Sequence, residues 1–251
     1  MISLKTADWC IDDIETVLFD KDGTFIDLHY FWGKMTELRV IEVIKKFGLS
    51  TDLFEVLCLS LGYDVKSGRM LKDGITALYS RSKIIEIFKN DLKNHFVHTE
   101  NEVLEEIFDR VSREFYQDMQ KYTKPIESAV QFIKQVRSKG VKTGIVTSDA
   151  AESTLLTLKH FGWGDLFDVV MGRESSPYPK ESGEPTKSAL NLINAEAKTT
   201  VMVGDAPTDY ISAKNAGIEK TILVATGQID FASLKETSPY TVEKLNDIII
   251  E

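Results

Sequence analysis

Short apolar segments alternate with amphipathic segments along the second half of the chain, and this alternation constrains the fold more than any other feature. The amphipathic segments carry apolar residues at helical spacing. One further apolar run, Thr16–Phe19, lies near the N-terminus. The later apolar runs of strand length are 141–146, 168–171, 200–203 and 221–224. Because strands that alternate with helices form a parallel sheet between helical layers, the sequence predicts an α/β fold with a doubly wound, Rossmann-like sheet.

Residues from about 30 to about 118 follow a different pattern. Apolar positions recur at helical spacing in 35–47 and 102–116, and no convincing strand lies between these segments. Pro125 marks the return to the sheet, since proline disfavours helix in the residue before it. We therefore predict an α/β core domain formed by residues 1–26 and 121–251, with an all-helical domain of residues 27–120 inserted after the first strand.

Composition and charge exclude several classes of protein. The chain has 251 residues, of which 43% are hydrophobic and 27% are charged, as in ordinary globular proteins. Its 30 Lys and Arg residues against 39 Asp and Glu residues give a formal net charge of −9. An acidic chain without a basic run is a poor candidate for binding nucleic acid or an anionic membrane.

Cysteine usage and hydropathy indicate the compartment. Cys10 and Cys58 are too few for a disulfide framework, and the histidines lack the spacing of a zinc site. The first residues lack the basic and apolar regions of a signal peptide, and no apolar stretch approaches the roughly 20 residues that span a bilayer. We therefore expect a cytoplasmic protein with free thiols.

Two carboxylates directly follow the first predicted strand. In an open α/β sheet, ligands bind at the carboxyl ends of the strands, where Asp20 and Asp22 fall. Gly23 permits the tight turn that leaves room for an anion. An EF-hand calcium loop would need Gly and Glu at its sixth and twelfth positions, where this chain has Phe25 and Phe31. This excludes the EF-hand, although a simple polar turn stays possible for the segment considered alone.

A second acidic cluster, Asp205 and Asp209, follows another predicted strand. Carboxylates that converge at one edge of a sheet repel one another unless a cation neutralises them. Oxygen ligands of this type suit Mg²⁺. The two acidic segments together therefore predict a magnesium site.

These residues, in this order, resemble the motifs of the haloacid dehalogenase (HAD) superfamily of phosphotransferases. The segments that carry the resemblance are Asp20–Thr24, Thr147 with Ser148, Lys180, and Gly204–Asp205 with Asp209. The helical insert lies where this superfamily carries its C1-type cap domain. Among phosphatases, the pattern is most similar to the phosphoglycolate phosphatase-like group.

The resemblance implies a role for each residue. Asp20 would attack phosphorus to form an aspartyl-phosphate, and Asp22 would be the general acid and base. Mg²⁺ would be held by Asp20, the backbone carbonyl of Asp22 and Asp205. Asp209 would bind the metal through water, or orient Lys180 or the metal shell. The residues implied to contact phosphate are Gly23, Thr24, Thr147, Ser148 and Lys180.

The third motif departs from the family pattern, which is usually Lys-Pro-x-Pro. Here the chain reads Pro179-Lys180-Glu-Ser-Gly-Glu-Pro185. Lys180 is favoured because the preceding Gly172–Glu174 lies at the spacing expected of relatives. Lys187, within the following helix, is the alternative.

Within the superfamily that the chain resembles, the second aspartate of the first motif, here Asp22, implies phosphoester chemistry. We therefore predict a Mg²⁺-dependent phosphatase acting on a small phosphate monoester, phosphoglycolate-like or a sugar phosphate. A phosphomutase is the alternative, although its relatives commonly carry Val where this chain has Thr24. A catalytically silent binding protein is a third possibility. The oligomeric state, monomer or homodimer, is left open by the sequence.

The resemblance also implies that the insert closes over the site and selects the substrate. Candidates for selection are His29, Trp32, Arg39, and Arg69 with Lys72 in the Gly- and Lys-rich stretch 66–74. For Trp32, packing within the insert is the competing interpretation, because aromatic side chains are usually buried.

Overall fold

In the computed structural model, which describes residues 1–251, the chain divides into two units. The first comprises Met1–Asp27 and Pro125–Glu251, and the second comprises Leu28–Lys124. Each unit has a hydrophobic core of its own. We call them the α/β unit and the helical unit.

A six-stranded parallel sheet forms the centre of the α/β unit. Its strands are β3 (Thr16–Phe19), β6 (Lys142–Val146), β7 (Val169–Met171), β8 (Thr200–Gly204), β9 (Lys220–Val224) and β10 (Thr241–Val242). Their spatial order is β10-β9-β8-β3-β6-β7. Every residue of β3 and β8 is buried, as expected for central strands with both faces covered. The predicted α/β fold with a parallel sheet is confirmed.

Helices follow the strands of this sheet in the predicted alternation. They are α6 (Glu127–Ser138), α7 (Ala151–Phe161), α8 (Glu184–Leu192), α9 (Pro207–Asn215) and α10 (Phe231–Thr237). The buried residues of α6 are apolar and recur at helical spacing, which explains why this segment packs as a helix. They join the main core with residues of β3, β8 and β9.

The register of the central strands places the acidic segments side by side. Phe19 of β3 pairs with Ile145 of β6 and with Val203 of β8. The chain proceeds from β3 to β6 on one side and reaches β8 on the other, so the strand order reverses at β3. Ligands of open α/β sheets bind at such a switch point, beyond the carboxyl ends of the strands.

A small antiparallel sheet in the same unit was not predicted from the sequence. It contains β1 (Ile2–Lys5), β2 (Cys10–Ile14) and β11 (Ile249–Ile250), in the order β11-β1-β2. These strands are short, and β2 carries two consecutive acidic residues, so the apolar pattern there is weak. Pairing with a strand from the far end of the chain is a tertiary effect that a local pattern does not reveal.

The helical unit contains the two helices predicted from apolar spacing and three shorter ones. The first predicted helix begins seven residues earlier than expected, and the second is longer by one residue at each end. Its helices are α1 (Leu28–Phe47), α2 (Phe54–Ser60), α3 (Ile75–Leu78), α4 (Arg81–Leu92) and α5 (Asn101–Gln117). Helix α1 packs against α5 and α2. None of the helices in the chain is both long enough and apolar enough to span a membrane.

The insert is helical, as predicted, except for one short hairpin. Strands β4 (Tyr63–Asp64) and β5 (Arg69–Met70) pair in antiparallel fashion, so the expectation that no strand interrupts this region is wrong in this detail. The turn contains Gly68 at φ +67°, a conformation that glycine adopts without strain. Strands of two residues are too short to produce a recognisable alternation.

Candidate active site

Three buried carboxylates meet at the carboxyl edge of the sheet. Asp20 directly follows β3, Asp205 directly follows β8, and Asp209 lies in the first turn of α9. Each offers a carboxylate oxygen, and these oxygens all lie within 4.8 Å of one another. The backbone N–H of Asp20 donates to the carbonyl of Val203 at 2.8 Å, which extends the parallel ladder and fixes the start of the loop.

Lys180 lies against two of these carboxylates. Its Nζ is 2.5 Å from Asp20 Oδ1 and 2.6 Å from Asp209 Oδ1, and its side chain is only 4% exposed. Lys187, the alternative for the third motif, is half exposed and pairs with Glu184 on the surface at 2.8 Å. The structure therefore brings Lys180, and not Lys187, to Asp20. We call Asp20, Lys180, Asp205 and Asp209 the Lys180 cluster.

Two glycines enclose the carboxylate of Asp205. A Cβ atom built on Gly227, in the loop after β9, would lie 1.7 Å from Asp205 Oδ2. A Cβ on Gly23, which has φ +86°, would lie 2.3 Å from the same oxygen. Thr226 holds the two loops together, because its hydroxyl donates to the carbonyl of Gly23 at 2.5 Å. The orientation of Asp205 thus depends on two backbone positions without side chains.

The charges of the Lys180 cluster are only partly balanced. Burial raises the pKa of Asp20 to about 6, against the lowering effect of Lys180, and the charge of Asp209 adds to the rise. Burial, followed by the charges of Asp20 and Asp209, raises the pKa of Asp205 well above its ordinary value. Burial alone would lower the pKa of Lys180, but Asp20 and Asp209 outweigh it and raise that pKa. Three carboxylates therefore face one ammonium group.

This donor set fits a divalent cation. Asp209 Oδ1 is buried against the Lys180 ammonium at 2.6 Å, and a carboxylate oxygen with one such partner retains a lone pair for a ligand. Gly23 and Gly227 keep space beside Asp205 that any side chain would fill. Carboxylate oxygens are the ligands that Mg²⁺ prefers. The Asp20, Asp205 and Asp209 group is thus consistent with the metal site of the resembled superfamily.

The side chain of Asp22 belongs to a second cluster. Its Oδ1 accepts a hydrogen bond from Lys21 Nζ at 2.8 Å, and the same Nζ lies 2.9 Å from Asp149 Oδ2. Asp149 also accepts hydrogen bonds from the backbone N–H of Ala150 at 2.8 Å and from the Ser153 hydroxyl at 2.9 Å. We call Lys21, Asp22, Asp149 and Ser153 the Lys21 cluster. A metal contact of Asp22 stays a prediction that concerns its backbone carbonyl.

Burial and charge act on the Lys21 cluster as well. Burial raises the pKa of Asp22 to about 6, although Lys21 acts against this rise. Burial would also raise the pKa of Asp149, but the charge and hydrogen bond of Lys21 outweigh it and lower that pKa. Burial alone would lower the pKa of Lys21, but the charges of Asp22 and Asp149 outweigh burial and raise that pKa. Lys21 is therefore a charged, buried lysine between two carboxyl groups.

The other residues predicted to contact phosphate lie on the neighbouring loops. Thr147 is buried directly after β6, and its hydroxyl accepts a hydrogen bond from the backbone N–H of Asp149 at 3.1 Å. Ser148 is exposed. The hydroxyl of Thr24 is buried without a hydrogen-bond partner. Contacts of Gly23, Thr24, Thr147 and Ser148 with phosphate stay predictions.

Residues predicted to select the substrate have contacts within the helical unit. His29 is buried, and its Nδ1 accepts the backbone N–H of Met70 at 3.1 Å. Arg39 is buried over the ring of Phe108, 4.6 Å from its centroid. Trp32 packs against the core of the unit, whereas Arg69 and Lys72 are exposed. Their role in selection stays a prediction.

Sequence reasoning overlooked Lys21, Asp149 and Gly227. Lys21 carries a usable signal, because a lysine between two aspartates directly after a buried strand needs an acidic partner. Asp149 is an acidic residue close behind the strand that ends in Val146, which is the same signal that identified Asp20 and Asp205. Gly227 carries no local signal, since only the position of Asp205 makes its lack of a side chain necessary.

Comparison with known proteins assigns the class. Residues 69–224 match the haloacid dehalogenase-like hydrolases, which is more than half of the chain. The α/β sheet with its helical insert and the buried aspartate group agree with that assignment. The chain therefore belongs to the haloacid dehalogenase-like hydrolase family.

Individual relatives carry different activities in their names. The chain is 28% identical over 211 residues to the pyrophosphatase PpaX of Halalkalibacterium halodurans, covering 84% of each protein. Its fold is similar to that of a predicted phosphoglycolate phosphatase from Haemophilus somnus, with a TM-score of 0.69, 15% identity, and 94% and 97% of the two chains covered. It is also similar to a Thermotoga maritima protein assigned to the β-phosphoglucomutases, with a TM-score of 0.68, 19% identity, and 93% and 96% covered.

Proposed function

We propose that this chain is a Mg²⁺-dependent phosphatase that hydrolyses a small phosphate monoester through an aspartyl-phosphate. The observation that supports it most is the separation of two carboxylates of one motif. Asp20 lies with Asp205, Asp209 and Lys180, whereas the Asp22 side chain lies on Lys21. One aspartate is thus suited to nucleophilic attack, and the other is suited to proton transfer.

In the first step, Asp20 attacks phosphorus. An oxygen of its carboxylate forms a bond to phosphorus while the bond between phosphorus and the leaving oxygen breaks. Lys180 Nζ, which is 2.5 Å from Asp20 Oδ1, orients the nucleophile and offsets negative charge on the phosphoryl group. Asp22 gives its proton to the leaving oxygen, so the alcohol departs neutral.

In the second step, water opens the intermediate. Asp22, now a carboxylate, takes a proton from the water whose oxygen attacks phosphorus. The bond between phosphorus and the Asp20 oxygen breaks, which releases inorganic phosphate and restores both carboxyl groups. The same residue therefore acts first as an acid and then as a base.

Asp20, Asp205, Asp209 and the backbone carbonyl of Asp22 would hold the Mg²⁺. The chemistry that the ion supplies when bound is neutralisation of the carboxylates and of the phosphate that approaches them. Asp209 contacts the Lys180 ammonium as well, so it also orients that lysine. The phosphate would be held by the hydroxyl of Thr147 at the end of β6.

Inorganic pyrophosphate is the second candidate substrate. A relative named a pyrophosphatase is 28% identical and covers 84% of this chain, which favours testing a phosphoanhydride beside the monoesters. The two substrates differ in the leaving group, since phosphate leaves more readily than an alkoxide. A pyrophosphatase would therefore depend less on proton donation by Asp22.

The experiment uses p-nitrophenyl phosphate, phosphoglycolate, a panel of sugar phosphates and inorganic pyrophosphate, each with Mg²⁺ and with EDTA. We expect release of inorganic phosphate that requires Mg²⁺. We expect Asp20→Asn to lower kcat by at least about 10⁴-fold, because it removes the nucleophile. The matched control is Asp165→Asn, the same change at an exposed residue, which should keep normal activity.

Other outcomes would contradict the proposal. Turnover in EDTA, or an active Asp20→Asn variant, would exclude the aspartyl-phosphate mechanism. A phosphorylated isomer formed from a sugar phosphate, without release of inorganic phosphate, would identify a mutase. No turnover of any substrate would favour a silent binding protein.

A further inference from the structure

Lys21 is buried at the centre of the first motif, and no step of the proposed reaction uses it. Only 1% of its surface is exposed, which places it among the largest fully buried side chains of the protein. Lysine is almost never buried to this extent unless it is paired. Its position between Asp20 and Asp22 therefore calls for an explanation.

The contacts of Lys21 form a chain that ends at Asp22. The Ser153 hydroxyl, on α7, donates to Asp149 Oδ2, and the backbone N–H of Ala150 donates to Asp149 Oδ1. Both carboxylate oxygens of Asp149 are thereby fixed. Asp149 Oδ2 in turn lies 2.9 Å from Lys21 Nζ, and that Nζ donates to Asp22 Oδ1 at 2.8 Å.

Asp149 lies in the loop after β6, and hydrogen bonds of its main chain fix it there. Its backbone N–H donates to the hydroxyl of Thr147, and its carbonyl accepts the N–H of Arg173 at 2.8 Å. Asp149 is thus held through its main chain and through its side chain. An anchor of this kind gives Lys21 a fixed direction, although lysine has a long and flexible side chain.

From this arrangement we infer that Lys21, anchored by Asp149, is a positioning residue for Asp22. Lys21 holds the Oδ1 oxygen of the Asp22 carboxyl group. The other oxygen, Oδ2, is then the one that presents the proton to the leaving oxygen. This inference rests on the proposed function, because it assumes that Asp22 is the general acid.

Charge supports the same geometry. Three carboxylates lie in the neighbouring Lys180 cluster, so a carboxylate of Asp22 without an ammonium partner would be repelled by them. Hydrogen bonds between charged groups are short and directional, which restricts the rotation of the Asp22 side chain. A misplaced general acid lowers the reaction rate most for substrates whose leaving group needs protonation. A rate loss that depends on the leaving group therefore distinguishes a positioning role from a merely structural one.

The experiment compares three aryl phosphates whose leaving groups need protonation to different degrees. They are phenyl phosphate, p-nitrophenyl phosphate and 2,4-dinitrophenyl phosphate, in decreasing order of need. For Lys21→Met we expect kcat/KM to fall by about 10²-fold with phenyl phosphate and by less than about 3-fold with the dinitrophenyl ester. Lys21→Arg, which keeps the charge, should recover part of the loss. Asp149→Asn should also lower kcat/KM most with phenyl phosphate, but by a smaller factor than Lys21→Met does.

Two further variants keep the result interpretable. Lys21→Met/Asp149→Asn removes both buried charges of the pair, so it guards against misfolding of the single variant, and it should show the same selective loss. Arg137→Met is the matched control, because it also removes a basic side chain that pairs with an aspartate. Arg137, near the end of α6, pairs at 2.6 Å with Asp168, which directly precedes β7. It should leave all three rates unchanged.

The reference variant Asp22→Asn separates the two possible failures. A selective loss with phenyl phosphate in Asp22→Asn, without one in the Lys21 variants, overturns the positioning role and leaves the proposed function intact. An equal loss with all three esters in Asp22→Asn overturns the acid role of Asp22 itself. Equal losses with all three esters in both Lys21→Met and the double variant reduce Lys21 to a structural residue.

Discussion

The Lys180 cluster and the Lys21 cluster share one arrangement, a buried lysine between two carboxylates, but they differ in how far their charges are balanced. In the Lys180 cluster a third carboxylate, Asp205, has no ammonium partner of its own, and the pKa values of Asp20 and Asp205 are raised. In the Lys21 cluster burial raises the pKa of Asp22 as well, but both carboxylates contact the Lys21 ammonium. Asp149 also accepts two further hydrogen bonds, and its pKa is lowered.

This difference in charge pairing indicates a different role for each cluster. A group of charges that the protein leaves unbalanced is destabilising by itself, and it is retained where a cation completes it. A group in which every carboxylate contacts an ammonium or a hydrogen-bond donor is held in place without a ligand. The Lys180 cluster is therefore suited to binding a cation, and the Lys21 cluster is suited to holding a carboxyl group in place.

The largest expected effect, a loss of kcat, concerns Lys180 and Lys187, the two candidate lysines of the third motif. We expect Lys180→Met to lower kcat by about 10²- to 10³-fold at saturating Mg²⁺, because the phosphoryl group loses its ammonium contact. Lys187→Met removes an exposed lysine that pairs only with Glu184 in the same helix, so it should retain normal activity. Steady-state kinetics on p-nitrophenyl phosphate measure both. Equal activities of the two variants would contradict the assignment of Lys180.

The next effect concerns stability without metal. The folded protein keeps protons on Asp20, Asp22 and Asp205 that the unfolded chain releases, because their folded pKa values are raised, to about 6 for Asp20 and Asp22 from the ordinary 3.8. The free energy of unfolding contributed by these groups therefore falls as pH rises through this window. Asp149, with a lowered pKa, contributes stability above its ordinary pKa and loses it only in more acidic solution.

Mg²⁺ should reverse this loss. At a concentration of 100 times its Kd, the ion adds about 2.7 kcal/mol, and the gain should be larger at about pH 7.5 than at about pH 5. Thermal unfolding with Mg²⁺ and with EDTA measures it. Asp205→Asn removes one of the unbalanced charges, so this variant should gain less from Mg²⁺ than the wild type does. A gain in Tm that is the same in both proteins would place the metal elsewhere.

The smallest effect concerns the glycine beside Asp205. Gly227→Ala places a methyl group where Asp205 Oδ2 now lies, so the carboxylate must move. We expect the affinity for Mg²⁺ to fall by about 10- to 100-fold, with a smaller change of kcat at saturating metal. Calorimetric titration with Mg²⁺ measures it. Gly164→Ala, in open space on the same unit, is the control, and an equal affinity of the two variants would show that Asp205 tolerates displacement.

The sequence was sufficient for the features that depend on local patterns. Apolar runs identified the five strands β3, β6, β7, β8 and β9, and helical spacing identified α1 and α5. The pattern failed for β1, β2, β10, β11 and the β4–β5 hairpin, because strands of two to five residues are too short to produce a recognisable alternation. The carboxylates after β3 and β8 could be grouped in advance, because the ends of parallel strands meet at one edge.

Only the tertiary structure decided how those charges are paired. The sequence contained two candidate lysines for the third motif, and the structure places Lys180 against Asp20 while Lys187 lies on the surface. It also joins Lys21 to Asp149, which are distant in sequence, and puts Gly227 against Asp205. Alternating strands and helices are local properties, so the sequence alone determined the class of fold and the edge that carries the carboxylates. Charge balance depends on distances of a few ångströms between segments far apart in the chain, and only the packed structure sets those distances.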